Sequence, residues 1–214
     1  DTKKLTAIGR KLSKLPIDPR LARMVLFAAE NGGLNELLVL SAALSIQDPR
    51  ERPLDKQQKA DQCHARFADP DSDFASWLKL WQYLQEQQEA LSNNQFRRLC
   101  RQEFLNYLRV REWQDIFSQL KLTLKEQKIA LTSVNYQFSM DELASANQNK
   151  NNQAMPASLM TVHQALLSGL LSHLGQQDEN REYKGARGSK FFVFPGSSLS
   201  KKPPKWLMSA EPFG

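Results

Sequence analysis

No pattern in this sequence of 214 residues is spaced to ligate a metal or to close a cross-link. Its two cysteines, Cys63 and Cys100, stand far apart, and neither belongs to a CxxC or Cys/His spacing. They read as ordinary thiols of a reducing cytosol, so a cytoplasmic location is expected. The three histidines are scattered; His163 and His173 are ten residues apart on one segment, too far to share an ion. Each histidine, His64 included, reads as structural. Long apolar runs are missing too: nothing approaches the ~20 residues of a membrane span, and the N-terminus lacks a signal peptide's apolar region. No membrane partner is expected. Gly185 and Gly188 in GARGSK do not make the phosphate loop GxxxxGK[ST], so neither catalytic nor metal-binding residues are expected. The chain opens on Asp1 rather than Met, as a piece of a longer protein would.

Glycine and proline are both absent between Pro70 and Pro156, the signature of a helical bundle with short polar connections. Within that window Phe96 to Leu120 reads as one long helix. Phe96, Leu99, Cys100, Phe104, Tyr107, Val110 and Phe117 share an apolar side, and Arg97, Arg98, Arg101 and Arg109 share another arc of about 120°. The apolar side should pack on a second helix, FASWLKLWQYLQEQQEAL, which turns Trp77, Leu80, Trp81 and Leu84 inward. Arginine's planar fork suits phosphate oxygens. The alternative is a solvated face, since Glu103, Glu112 and Asp115 reduce five arginines to a net +2.

Upstream, Asp18 caps a helix that starts at Pro19 and is ended by Asn31-Gly32-Gly33. Leu34 to Ile46 is an apolar helix expected to be buried all round, and Lys56 to Phe67 a polar one. Between them Asp48-Pro49-Arg50-Glu51-Arg52 reads as a rigid architectural corner. Downstream, the Asn- and Gln-rich stretch 139–156 is expected to be a mobile loop. Pro156 to Leu174 returns to helix, with Gly175 as its C-cap.

The tail changes character. From Arg181 onward seven lysines and arginines face two glutamates, a local +5 that supplies most of the chain's net +6 and its pI near 9.3. Phe191 to Phe194 and Lys205 to Met208 read as strands, with alternate members of the first in a small β core. Tyr183, Lys184, Arg187, Lys190, Phe191 and Phe192 interleave rings with cations, and Lys201, Lys202 and Lys205 follow. Stacking platforms beside a basic groove are how small barrels hold single strands.

Taken in order, LTAIGRKLSKLPIDPRLARM, LSIQDPRERP, FRRLCRQEFLNYLRVREWQDI, and GLLSHLG followed by EYKGARGSKFFVFPGSSLSKKPPKW resemble the C-terminal accessory region of DEAH-box RNA helicases of the bacterial HrpA type. The resemblance implies a mainly α chain: the end of a winged-helix domain (1–31), a helical ratchet domain (32–174) and the start of an OB-like β-domain (175–214). It implies two RecA-like motor domains upstream, where ATP and magnesium would bind, and no cofactor in this chain. The implied partners are single-stranded RNA and those motor domains. Arg97, Arg98, Arg101 and Arg109 would meet phosphates from the ratchet, and Lys184, Arg187, Lys190, Lys201 and Lys202 from the OB side. The alternative is a protein-interaction scaffold that docks the motor or an activating protein partner and has little RNA affinity of its own.

Overall fold

A computed structural model describes residues 10, 18–134 and 157–210. The segment Lys3–Ile8, expected as a strand, and the whole of the stretch 139–156 lie outside the described residues. Seven α-helices are described: α1 (Pro19–Asn31), α2 (Leu34–Ala43), α3 (Gln57–Ala65), α4 (Asp73–Ala90), α5 (Asn93–Gln102), α6 (Tyr107–Glu126) and α7 (Ala157–Gly169). An antiparallel sheet follows, built from β1 (Leu174–Gln177), β2 (Tyr183–Gly185), β3 (Lys190–Phe191) and β4 (Trp206–Met208) in the order β3-β2-β1-β4. The chain is mainly α with a small β module, as expected. Two compact units are present, and their boundaries fall inside α2 and α6: residues 38–120 belong to one, while α1, α7 and the sheet belong to the other.

In the unit of residues 38–120, α4 begins where the Ser72 hydroxyl accepts the Ala75 amide at 3.2 Å. Its Trp77 and Trp81 rings pack on Trp113 of α6, with centroids 5.1 and 4.8 Å away, and Trp81 also meets Phe117 at 4.9 Å. Trp113 is fully buried, and its indole N–H donates to the Val39 carbonyl at 2.9 Å. Truncating such a ring costs roughly 3–5 kcal/mol. On an unbroken helix from Phe96, Trp113 would sit toward the arginine arc. It enters the core because α6 starts a fresh helical phase.

The single helix expected over Phe96–Leu120 is in fact two. α5 ends at Gln102, and Phe104 adopts the left-handed conformation with φ 56°. The Leu105 amide returns to the Cys100 carbonyl at 2.8 Å and the Phe104 amide to Arg101 at 3.5 Å, a Schellman closure with phenylalanine where glycine is usual. Asn106 then caps α6, its Oδ1 accepting the Leu108 and Arg109 amides at 3.1 Å each. The corner after α2 holds the break open. Glu51 donates its amide to Phe104 O at 2.8 Å, Asn106 donates to Pro49 O at 2.7 Å, and Asn106 Nδ2 reaches Glu51 Oε1 at 2.7 Å. Long-range pairing and capping together outweigh the helix propensity of the intervening residues.

In the other unit, α1 starts as the sequence indicates: Pro19 takes the first position and Asp18 Oδ1 accepts the Arg20 amide at 2.7 Å. Gly32 and Gly33, with φ of 94° and 83°, end it. α1 packs on α7 at Gly169, where a Cβ would lie 2.5 Å from Met24 Cε and 2.7 Å from Arg20 O. α7 stops there, short of Leu174, and Gly175 is not its cap. Gly175 is a β1 residue paired with Gly185 and Leu207, and its bare Cα admits the Phe191 ring, which would lie 2.4 Å from a Cβ. Phe191 stacks on Tyr183 at 5.7 Å between centroids, and the Tyr183 hydroxyl donates to Pro204 O. The strand expected through Phe194 ends at Phe191, because its partner β2 begins only at Tyr183 and residues 179–181 form a 3-10 turn.

Candidate nucleic-acid interface

α5 places Arg97, Arg98 and Arg101 on its solvent side while Phe96 and Cys100 turn inward. The Arg97 guanidinium lies 4.9 Å from the centre of the Tyr107 ring, a cation–π contact. Arg98 and Arg101, three residues apart and so on one side of the helix, are exposed, and among the described residues no carboxylate pairs with either. Glu103 is turned away: it accepts the Tyr83 hydroxyl at 2.9 and 3.0 Å and pairs with Arg66. Its side chain is only 16% exposed, so this acid does not neutralise the arginine face.

Arg109 does not belong with the others. It stands on α6, half-buried, and its Nη1 donates to the Asp48 carbonyl at 3.0 Å. The same corner carries a bidentate Arg50–Asp48 pair, with 2.9 and 2.6 Å contacts, and places Arg50 5.0 Å from the Trp77 ring centre. Arg109 is thus part of the scaffold that holds the helix break.

Beneath α5, His64 lies with Nε2 3.0 Å from the Glu103 carbonyl, and burial holds its pKa below 6.5. Burial, then the Glu103 bond and charge, push the Tyr83 phenol up to about 12; burial pushes the Cys100 thiol up to about 11. Such a thiol is inert at neutral pH. His173 Nδ1 reaches the Ala210 carbonyl at 2.9 Å, a structural contact. Among the described residues no group of His, Cys, Asp or Glu is placed to hold a metal.

In the β module the cations fall into two sets. Lys184 pairs with Asp178 at 2.5 Å, and its hydrogen bond lowers the aspartate and raises the lysine. Lys190 pairs with Glu182 at 3.0 Å. Arg187, at φ 57°, and Lys201, Lys202 and Lys205 are exposed with no carboxylate partner among the described residues. Cross-strand register aligns Lys190, Lys184, Gln176 and Trp206 in one row, and all four are exposed. The rings divide by alternation: Phe191 is buried, whereas Phe192 and Phe194 are 64% and 77% exposed. Trp206, 59% exposed, is a further solvent-facing ring. The sequence signal for it is a tryptophan beside Lys205 in a three-residue strand.

Two stretches of the chain each match a known domain. Residues 18–107 match the helicase-associated domain (HA2), ratchet-like, and residues 162–213 match the oligonucleotide/oligosaccharide-binding (OB)-fold. The chain thus carries a helicase-associated, ratchet-like domain followed by an OB-fold domain. It is 54% identical over 209 residues to the ATP-dependent RNA helicase HrpA of Escherichia coli (strain K12), covering 97% of this chain and 14% of that protein. It is 49% identical over 208 residues to the ATP-dependent RNA helicase HrpA homolog of Haemophilus influenzae, with the same 97% and 14% coverage. The chain therefore spans about 14% of the length of these relatives. The ratchet-like match starts at residue 18 and takes in α1 to α5, with the arginine face; the OB-fold match takes in the sheet with its exposed rings and cations. No helix among the described residues is long and apolar enough to cross a membrane.

Proposed function

We propose that this chain is the RNA-gripping accessory region of a DEAH-box, ATP-dependent RNA helicase, holding a single strand by its phosphates while upstream motor domains hydrolyse ATP. The observation that carries the reading is the pair Arg98 and Arg101, exposed on one side of α5 with no described carboxylate in reach. A permanently charged fork left unpaired on a rigid helix is a ready phosphate ligand. Arg187, Lys201 and Lys202 supply the same chemistry from the β module. Lys184 and Lys190 would contribute only by exchanging Asp178 and Glu182 for phosphate. Contacts of this kind fix a strand without reading its bases. The names of the relatives and the OB-fold match support RNA as the strand.

ATP and magnesium belong, in this reading, to the motor domains. Purified chain should turn over no ATP, with or without RNA; turnover that follows it through a sizing column would contradict this division of labour. The direct test of the grip is titration of a labelled oligo-U strand at several salt concentrations. Log affinity should fall linearly with log salt, by roughly 0.7 for each phosphate contacted. Absent binding, or weak binding indifferent to salt, would favour the scaffold alternative, in which the domains dock the motor or an activating protein.

A further inference from the structure

The β module carries an open cleft of about 380 Å³ lined by Arg181, Phe192, Val193, Pro195, Ser200 and Pro203. Its size lies in the range of small-molecule sites, roughly 300–1,000 Å³. One wall is a phenylalanine ring left 64% exposed, and two others are prolines, whose rings have little freedom to lose on binding. The polar groups are few. The Ser200 hydroxyl donates to Pro195 O at 3.1 Å, which leaves its oxygen lone pairs to accept. Arg181 is exposed and has no carboxylate partner among the described residues. Its backbone is left-handed at φ 62°, in a turn closed by the Asp178 amide on Glu182 O at 2.8 Å. Lys201 and Lys202 occupy the two positions between Ser200 and Pro203, both exposed and unpaired with any described carboxylate.

A cleft walled by Phe192, Val193 and two prolines, with one acceptor and a guanidinium and flanked by two lysines, is chemically complementary to a planar heteroaromatic ring joined to an anionic tail. We infer that the cleft takes one unpaired base of the single strand, stacked on Phe192, with the adjoining phosphate on Lys201 and Lys202 and the base edge facing Arg181 and Ser200. This rests on the RNA-gripping reading and adds to it: the β module holds a base as well as backbone. Stacking of a base on an aromatic ring tolerates any base, so the contact strengthens the grip without making it sequence-specific.

The probes that separate base from backbone are an oligo-U strand and an abasic ribose-phosphate strand of the same length and charge. Phe192→Ala should weaken oligo-U binding about tenfold at every salt concentration, leave the salt slope unchanged, and leave abasic binding unchanged. Because Phe192 is mostly exposed, the fold is not at risk. Arg181→Gly removes the charge and suits the positive φ, so its thermal midpoint should not fall while oligo-U affinity does. A purely structural Arg181 would leave affinity intact. Equal losses on both strands, or none, would overturn the base site while leaving the phosphate grip standing. Failure of the wild-type chain to bind either strand would overturn both.

Discussion

Glu103 shows how one side chain can decide what its neighbours are free to do. By turning inward to Arg66 and Tyr83 it leaves Arg98 and Arg101 unneutralised. Glu103→Gln keeps the shape and removes the charge. It should cost about 1–3 kcal/mol, read as a lower denaturant midpoint, because a part-buried Arg66 loses its partner. The same substitution should bring the Tyr83 phenol down from about 12, since Glu103 is among the groups that hold it there. A phenol titration unmoved in the variant would show that burial alone sets it. His64 makes a pH prediction. Burial depresses its folded pKa below 6.5, so the unfolded chain takes up the proton first as pH falls. Its contribution is complete above 6.5 and is lost as pH drops through the folded value. Arg50 opposes the ring's charge and Asp48 favours it, while the Glu103 carbonyl accepts from either protonation state. The stability of His64→Gln should therefore decline less than wild type over that interval in chemical denaturation. Parallel curves would contradict the assignment.

At the scale of elements, what is legible in the sequence is what is decided locally. The start of α1 follows from Asp18-Pro19 and its stop from Gly32-Gly33, because caps are made by residues next to the helix end. Mainly helical character between Pro70 and the polar stretch follows from the missing breakers. The break at Phe104 is not legible, since its pairing partners are Pro49 and Glu51, the latter 55 positions from Asn106. With the break hidden, Arg109 looks like a fourth member of the arginine face and Trp113 like a marginal residue. The same limit hides β1 and β2, each three or four residues long and defined only by their neighbours. Two substitutions test these elements. Asn106→Ala removes the α6 cap and the bond to Glu51, and should lower stability by about 1–2 kcal/mol in denaturant unfolding. Gly175→Ala drives a methyl into the Phe191 ring and should lower the melting temperature of the β module, with loss of the Tyr183–Phe191 stacking seen in near-UV dichroism. Unchanged unfolding in either variant would refute the packing described.

At the scale of the whole chain, the proposed grip rests on how the charge is sorted. Of the candidate cations, Arg98, Arg101, Arg187, Lys201 and Lys202 are exposed without a described carboxylate partner, Lys184 and Lys190 are paired, Arg97 lies over a ring and Arg109 is structural. The sequence supplies the cations but not this sorting, which depends on where Asp178, Glu182 and Glu103 fold back. The most direct measurement is the salt dependence of oligo-U binding by two variants in parallel. Arg98→Gln with Arg101→Gln keeps helix propensity and should shrink the slope of log affinity against log salt by about 1.4 units, with equal effects on different homopolymers. Arg109→Gln should lower stability and leave that slope alone. If the double variant stays folded by circular dichroism and its slope is unchanged, α5 is not in contact with the strand and the account fails.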